Sequence, residues 1–238
     1  MADSKPPLSP KAPVAQEENV SAFLAKLRAM PPARKQDGAG GRLVFAMDAT
    51  MSRQPTWDRA LAIQAEMFAE TQKIGGLDVQ LVYFRGFSEC RASKWVSEPE
   101  ALARLMTTVQ CHGGYTQIGR VLKHLRKEAQ GVKINAAVYV GDAMEENIDA
   151  LCKTAGEIGL LGVPLFLFQE GNDAAVETAF RELARLTRGA YFRLDAASAK
   201  MLRELLTAVA VYAAGGRTAL EDRNSNRGAA LLLQQLRR

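Results

Sequence analysis

The stretch LVFAMDATMS, residues 43–52, joins a short apolar run to a loop of oxygen-bearing side chains. An apolar run of this length, preceded by glycine and followed by aspartate, is typical of a strand that is buried on both faces of a parallel sheet. Asp48, Thr50 and Ser52 then occupy alternate positions in the loop. Because ligands of open α/β sheets bind beyond the carboxyl ends of the strands, the stretch predicts a central strand with a binding site at its end.

The pattern around this stretch alternates between strands and helices. Apolar runs predict strands at residues 43–47, 79–84, 93–96 (a short edge strand), 134–140, 163–168 and 190–194. Helical spacing predicts helices at residues 57–74, 99–109, 118–129, 147–160, 173–187 and 198–213. Such alternation indicates βαβ units. The predicted fold class is therefore α/β, a Rossmann-like doubly wound, mostly parallel six-stranded sheet with helices on both faces.

The 238 residues divide into three predicted segments. Residues 1–40 form an N-terminal tail and linker, mostly disordered by composition, with a short amphipathic helix in VSAFLAKLRAM. Residues 41–214 form the α/β domain. Residues 215–238 form a C-terminal tail whose apolar segment ALLLQQLRR predicts a short helix. That helix either packs back on the domain or binds a partner.

Composition limits the possible functions. Hydrophobic residues make up 47% and charged residues 24%, as in ordinary globular proteins, and the net charge is +5. Because the basic residues are spread out and do not form a stripe interleaved with aromatic residues, the sequence disfavours nucleic-acid binding. No apolar segment has the length of a membrane span or the position of a signal peptide, so we expect a cytoplasmic protein without a membrane partner.

Cysteine and histidine are too sparse to predict a zinc site. The three cysteines, Cys90, Cys111 and Cys152, include no C-x-x-C pair, so a disulfide framework is not indicated either. His112 is predicted in a loop, and His124 is predicted as a solvated surface residue of a helix rich in lysine and arginine.

Two further segments supply oxygen ligands at the ends of predicted elements. In GGYTQIGRVL, residues 113–122, Thr116 lies at a helix start, and in AVYVGDAMEEN, residues 137–147, Asp142 directly follows a strand. Each could instead cap the following helix. Together with Asp48, Thr50 and Ser52, however, they give carboxylates and hydroxyls in an order that suits a hard divalent cation such as Mg²⁺.

These three segments resemble the metal-ion-dependent adhesion site of the von Willebrand factor type A family, written D-x-S-x-S, then Thr, then Asp. The resemblance covers about residues 41–213, including a closing pattern of strand, helix, aromatic strand and last helix. Two departures occur. Thr50 replaces the more usual serine, and the third segment reads G-D-A where many members have D-G, with Glu145 and Glu146 close behind. These glutamates would either crowd or supplement the site.

What the resemblance implies is a binding module without catalytic activity. Its metal ligands would be Asp48, Thr50, Ser52, Thr116 and Asp142, and its ion would be Mg²⁺ or Mn²⁺. The partner would be a protein that presents an Asp or Glu, for example an ATPase or another component of a complex. Further contacts with the partner are expected from the surrounding loops, at Met51, Arg53, Tyr115 and Met144.

Two alternatives remain open at this point. The chain could be a phosphatase or phosphotransferase of the haloacid dehalogenase superfamily, with Asp48 as the nucleophile. Mg²⁺ would then be held by Gly141, Asp142 and Glu146, and the required lysine would be Lys123 or Lys133. Alternatively, the chain could be a type A scaffold that binds no metal. Nucleotide binding is disfavoured, since the sequence has neither G-x-G-x-x-G after the first strand nor a Walker A motif.

Overall fold

A computed structural model of the chain describes residues 40–72, 74–194 and 199–236. The predicted N-terminal tail and its amphipathic segment lie outside these residues, apart from Gly40. Among the helices of the described part, none is both long and apolar enough to cross a membrane.

One six-stranded sheet forms the centre of the fold. Its strands are β1 (Gly41–Asp48), β2 (Leu77–Arg85), β3 (Glu89–Ala92), β4 (Ala136–Gly141), β5 (Leu165–Glu170) and β6 (Ala190–Leu194). They are ordered β3-β2-β1-β4-β5-β6. Every neighbouring pair is parallel except β2 and β3. The predicted fold class, a doubly wound and mostly parallel sheet, is confirmed.

Strand β1 shows why the sheet is covered on both faces. Leu43, Phe45 and Met47 belong to one buried cluster, whereas Val44 and Ala46 belong to the other. Successive side chains of a strand point to opposite faces, so a continuous apolar run needs a hydrophobic layer on each side. The apolar run in residues 43–47 thus fixes β1 in the middle of the fold.

Seven helices of the described chain supply these two layers. They are α1 (Gln54–Gln72), α2 (Pro99–Thr107), α3 (Ile118–Gly131), α4 (Ile148–Leu160), α5 (Ala174–Leu186), α6 (Ala199–Glu221) and α7 (Arg227–Leu236). Helices α1, α2, α6 and α7 contribute buried side chains to the cluster that contains Phe45. Helices α3, α4 and α5 contribute theirs to the cluster that contains Val44. The helices therefore lie on both faces, as predicted.

The predicted edge strand at residues 93–96 is misplaced. The edge strand β3 lies at Glu89–Ala92 and pairs antiparallel with β2, whereas Val96 makes only an isolated bridge to Val79. The cause is a tight turn directly after β2, where Gly86 has a φ of 59° and reverses the chain. Because β3 is at most half-buried, its sequence ECRA lacks the apolar alternation that marks the other strands.

The C-terminal segment packs on the domain. Helix α6 continues past the predicted end at residue 213, with a break at Gly216, whose φ is 71°. Helix α7 then lies against α6, where a Cβ on Gly228 would come within 2.2 Å of the carbonyl oxygen of Glu204. Leu232 and Leu233 of α7 are buried in the same cluster as α6 and β1. The sequence left two possibilities for ALLLQQLRR, packing on the domain or binding a partner, and the structure shows the first.

The strand order creates a crevice between β1 and β4. From β1 the chain moves to β2 on one side and later returns to β4 on the other side. In the parallel pairing of these strands, Met47 lies opposite Val140, which brings the end of β1 next to the end of β4. Such switch points are where doubly wound sheets bind their ligands.

Candidate metal-binding site

Asp48 is placed in the crevice by β1 and held there by its own loop. It is the last residue of β1 and is only 1% exposed. Its Oδ1 accepts a hydrogen bond of 2.7 Å from the backbone N–H of Thr50. The next residue, Ala49, is fixed on both sides, since its N–H donates to Phe84 at 2.9 Å and its carbonyl accepts from His112 at 3.0 Å. The carboxylate therefore stands at a well-defined position beyond the strand.

The two hydroxyls of the loop lie together and reach across to β4. Oγ1 of Thr50 lies 3.3 Å from Oγ of Ser52, which is the middle residue of the short 3₁₀ turn Met51–Arg53. Oγ of Ser52 donates to Oδ2 of Asp142 at 3.1 Å. Asp142 directly follows β4, so this bond joins the two loops of the crevice.

Thr116 enters the site from the loop before α3. Its hydroxyl donates to Oε2 of Glu146 at 2.5 Å and accepts from the backbone N–H of Glu145 at 3.0 Å. Its own N–H donates to Oε2 of Glu145 at 2.8 Å. A hydroxyl has one proton and two lone pairs, so these contacts leave Oγ1 of Thr116 with one lone pair for a further ligand.

Helix capping does not account for Thr116 or Asp142. The N-cap residue of α3 is Gln117, which makes no side-chain cap, and the N-cap residue of α4 is Asn147, whose side chain accepts from the N–H of Ala150. Thr116 and Asp142 each lie before these N-cap positions. The simpler interpretation that the sequence allowed for them is therefore wrong.

All five predicted ligands line one cavity of about 250 Å³. Its lining consists of Asp48, Thr50, Met51, Ser52, Gly113, Gly114, Thr116, Asp142, Ala143 and Glu145. The structure thus brings together residues that three distant segments supply, and it adds Glu145 to them. Mg²⁺ and Mn²⁺ take carboxylate and hydroxyl oxygens, so the residues present fit such an ion.

Hydroxyl ligands would be essential for an ion here. Within the described residues, no group of three or more His, Cys, Asp or Glu side chains is placed to hold a metal. A zinc-type centre of histidine and cysteine is therefore not supported in this part of the chain. Burial also raises the pKa of the Cys90 thiol to about 11, which keeps that thiol protonated at neutral pH.

Glu145 and Glu146 add negative charge around the crevice. Glu146 accepts a second hydrogen bond, of 3.1 Å, from the N–H of Gly119 in the first turn of α3. The partial positive charge of a helix N-terminus offsets part of the charge of such a carboxylate. The carboxylates of Asp48, Asp142 and Glu145 line the cavity, whereas that of Glu146 lies behind Thr116, to whose hydroxyl it is hydrogen-bonded. The sequence signal for the two glutamates was their place close behind G-D-A, with only Met144 between.

The residues that were predicted to contact a partner differ in their exposure to solvent. Met51 and Tyr115 are exposed by 65% and 58%. Met144 is partly buried against the cluster of α3 and α4, which leaves only part of its side chain for a partner. The side chain of Arg53 lies outside what the structure describes. Phe87, which the sequence did not single out, is 74% exposed and packs on Tyr115.

His124 is not a solvated surface residue. It is half-buried, and its Nε2 lies 2.9 Å from Oε1 of Gln80. Burial lowers its pKa below the usual value. The expectation of a solvated side chain fails because α3 packs over β2 at this point, where Gln80 is buried.

Neither lysine that the phosphotransfer alternative would need lies in the cavity. Lys123 is exposed on α3, and Lys133 precedes β4, at the end of the strand opposite to the cavity. Neither lysine lines the cavity that contains Asp48. A charge that could neutralise a transferred phosphoryl group is thus missing from the cavity lining among the described residues.

Comparison with known proteins gives a result for the fold. No protein-family model matches the sequence, and no curated protein matches it. A von Willebrand factor type A structure from Catenulispora acidiphila is similar with a TM-score of 0.58 and 16% identity, over 72% of this chain and 42% of that chain. The SpRpn10 VWA domain is similar with a TM-score of 0.55 and 8% identity, over 67% of this chain and 90% of that domain.

A third structure extends the likeness to a larger protein. The pilus adhesin SpaC from Lactobacillus rhamnosus GG has a TM-score of 0.55 and 11% identity, over 74% of this chain and 30% of that chain. This chain therefore spans less than half of two of these three proteins. With its strand order and helix layers, the chain has the fold of a von Willebrand factor type A domain.

Proposed function

We propose that this chain is a divalent-metal-dependent protein-binding module that captures an acidic residue of a protein partner. The observation that carries the proposal is the convergence of Asp48, Thr50, Ser52, Thr116 and Asp142 on one cavity. These residues come from three segments that are far apart in sequence. The side-chain atoms with which they could ligate a metal are all oxygens. No nucleophile with an adjacent base is needed for such a function.

In this proposal, the five residues hold Mg²⁺ or Mn²⁺, which supplies positive charge for an incoming carboxylate. The three carboxylates that line the cavity, those of Asp48, Asp142 and Glu145, favour the cation and repel an acidic group when no cation is bound. Capture of an acidic residue should therefore depend strictly on the metal. The engaged hydroxyl of Thr116 presents its remaining lone pair in a fixed direction, which favours ion binding without rearrangement.

The partner in this proposal is a protein, for example an ATPase or another component of a complex. The fold recurs in the pilus adhesin SpaC, whose name describes an attachment function. An adaptor that joins two proteins would need the metal site and the loops around it but no reaction chemistry.

Titration calorimetry with Mn²⁺ and Mg²⁺ tests the ion site directly. We expect saturable binding to the wild type and its loss in Asp48→Asn, which keeps the shape of the side chain but removes its charge. The matched control is Asp78→Asn, because Asp78 lies near the start of β2, at the end of the strands opposite to the cavity. Equal ion binding by Asp48→Asn and the wild type would exclude this site, and absence of binding in both would favour the metal-free scaffold.

A phosphatase assay addresses the enzyme alternative. The wild type with Mg²⁺ and a generic phosphate ester should show no turnover above that of Asp48→Asn. Turnover that disappears in this variant would instead identify Asp48 as a nucleophile.

A further inference from the structure

Exposed apolar side chains are concentrated around the candidate metal site. Five large hydrophobic residues of the described chain are exposed: Met51, Phe87, Tyr115, Leu160 and Leu161. Met51 lines the cavity, Tyr115 belongs to a loop that lines it, and Phe87 packs on Tyr115. We call Met51, Phe87 and Tyr115 the apolar rim. Met51 lies between Thr50 and Ser52, and Tyr115 lies between Gly114 and Thr116, four residues that all line the cavity.

Phe87 and Tyr115 form one aromatic unit although they come from different loops. Their ring centroids are 5.3 Å apart, and the rings meet at 67°, in an edge-to-face arrangement. Such pairs attract each other beyond their buried area. Both side chains nevertheless remain mostly exposed, at 74% and 58%. Solvent-exposed aromatic residues that flank a polar site are typical of protein-interaction surfaces.

The backbone beneath this aromatic pair is held firmly. The carbonyl oxygen of Gly86 accepts hydrogen bonds from the N–H of Tyr115 and from Nε2 of Gln117, each at 3.2 Å. The same amide of Gln117 donates to the carbonyl of Arg85 at 3.2 Å, and Arg120 donates to the carbonyl of Ser88. The loop that carries Phe87 is therefore tied to the segment that carries Thr116.

A close backbone approach reinforces this connection. A Cβ added to Gly114 would lie 2.1 Å from the carbonyl oxygen of Gly86, so only glycine allows the two loops to meet in this way. Rigid side chains lose little conformational entropy on binding, which makes a pre-organised aromatic pair an effective anchor.

We propose that the apolar rim binds a large apolar side chain that neighbours the metal-bound acidic residue of the partner. The ligand is then a short protein segment in which Asp or Glu is followed or preceded by an aromatic or long aliphatic residue. This inference rests on the proposed function, because the metal places the acidic residue. It adds the recognition of a second side chain, which decides between acidic segments.

The apolar rim adjoins the cavity, so a single partner segment can contact both, and this indicates which chemistry the segment has. An acidic group alone would be recognised at any metal site of this kind, whereas the rim offers only apolar and aromatic surface. The carboxylates of Glu145 and Glu146 disfavour further negative charge beside the ion. A segment with one acidic residue and one apolar neighbour satisfies both parts of the surface.

Selection from a random peptide library tests the inference. The full chain is immobilised in Mg²⁺, and bound peptides are eluted with EDTA. We expect peptides that combine Asp or Glu with a nearby Phe, Tyr, Trp, Leu or Met. A synthetic peptide from this set should bind Phe87→Ser and Tyr115→Ser at least ~10-fold more weakly than the wild type, the usual effect of losing an aromatic anchor.

The matched control is Leu160→Ser, which removes an apolar side chain that is 90% exposed at the far end of α4. It should bind the peptide as the wild type does. Circular dichroism and the Mg²⁺ affinity of each variant confirm that the fold and the ion site are intact.

The outcomes separate this inference from the proposed function. Acidic peptides without an apolar preference, or equal binding by Phe87→Ser and the wild type, would overturn the inference and leave the metal-dependent module standing. Apolar peptides that need Phe87 but resist EDTA would also overturn it, since the metal would then have no part in their recognition. A selection without any EDTA-sensitive peptide would overturn both.

Discussion

Oγ of Ser52 donates a 3.1 Å hydrogen bond to Oδ2 of Asp142, although 90 positions separate the two residues in the chain. The first residue belongs to the loop after β1 and the second to the loop after β4. These strands are sequence-distant but adjacent in the sheet. The meeting of the two side chains is therefore a product of the strand order, and any ion between these loops would be linked to the stability of the whole sheet.

The first prediction concerns the effect of the ion on stability. Mg²⁺ at ten times its dissociation constant should raise the free energy of unfolding by about 1.4 kcal/mol, because it binds the folded chain only. For a domain of this size, the midpoint of thermal unfolding should rise by roughly 3 to 6 °C relative to EDTA. The rise should vanish in Asp48→Ala and persist in Asp78→Asn. A rise of equal size in Asp48→Ala would place the ion elsewhere.

The second prediction concerns Glu145, which lines the cavity and is exposed. Glu145→Gln keeps an oxygen that can accept from the N–H of Thr116 but removes one negative charge beside the ion. Mg²⁺ affinity should fall by about fivefold, the scale of an exposed charge interaction. With saturating Mg²⁺, an acidic peptide should bind more tightly than to the wild type, because less negative charge opposes it.

The control for this prediction is Asp149→Asn, an acidic residue in the first turn of α4 that does not line the cavity. Titration calorimetry on the three proteins, at low and high salt, measures both effects. If Glu145→Gln bound Mg²⁺ and the peptide as the wild type does, this carboxylate would have no electrostatic part in the site.

The third prediction uses two adjacent glycines in the loop before Thr116. In Gly114→Ala the new methyl group would meet the backbone of Gly86, whereas a Cβ on Gly113 has no atom within 4 Å. Gly114→Ala should therefore cost about 1 to 3 kcal/mol of stability, as overpacking does, and should weaken ion binding by displacing Thr116. Gly113→Ala should change neither quantity. Denaturant unfolding and calorimetry measure them, and equal behaviour of the two variants would contradict the close approach.

The sequence allowed the fold to be predicted well because its central strands are long apolar runs with clear boundaries. Strand β6 at Ala190–Leu194 has the predicted bounds, and β1 extends the predicted run 43–47 to Gly41–Asp48. The edge strand was misplaced because β3 is at most half-buried and mostly polar, and it is held by pairing with β2 rather than by an apolar pattern of its own. Side-chain patterns carry no signal for such a strand.

The sequence predicted which five residues would meet beyond the strands, where they line one cavity, but it did not predict the surroundings of that cavity. Asp48 and Asp142 follow buried strands, a position that the apolar pattern shows directly. The positions of Glu146 and Phe87 beside the site depend on contacts between distant loops, such as the hydrogen bond from Thr116 to Glu146 and the packing of Phe87 on Tyr115. No local pattern encodes these contacts, since they follow from the three-dimensional arrangement of the loops.

The fourth prediction is a pH dependence that arises from His124. Burial lowers the pKa of this imidazole, so folding favours its neutral form. A lowered folded-state pKa gives stability that is present above the unfolded-state value of about 6.5 and is lost as the pH falls through the folded-state value. The wild type should therefore lose more stability between pH 7 and pH 5 than His124→Gln.

The chain has only two histidines, so His112→Gln is a complete control. His112 is exposed, so His112→Gln removes an imidazole at a position where burial does not act on it. Urea unfolding at closely spaced pH values measures the three profiles. Parallel profiles of His124→Gln and the wild type would show that this imidazole is as easily protonated in the folded chain as in the unfolded chain.

The fifth prediction concerns the C-terminal helix α7, which packs on α6. Leu232 of this helix is fully buried. Leu232→Ala should lower the free energy of unfolding by about 2 to 5 kcal/mol, through lost apolar burial and the cavity that remains. Leu160→Ala, at the most exposed large hydrophobic residue, should cost less than about 0.5 kcal/mol. Denaturant unfolding of both variants measures the difference. A cost for Leu232→Ala as small as that for Leu160→Ala would mean that α7 is not part of the cooperative fold, and its apolar face would then be free to bind a partner.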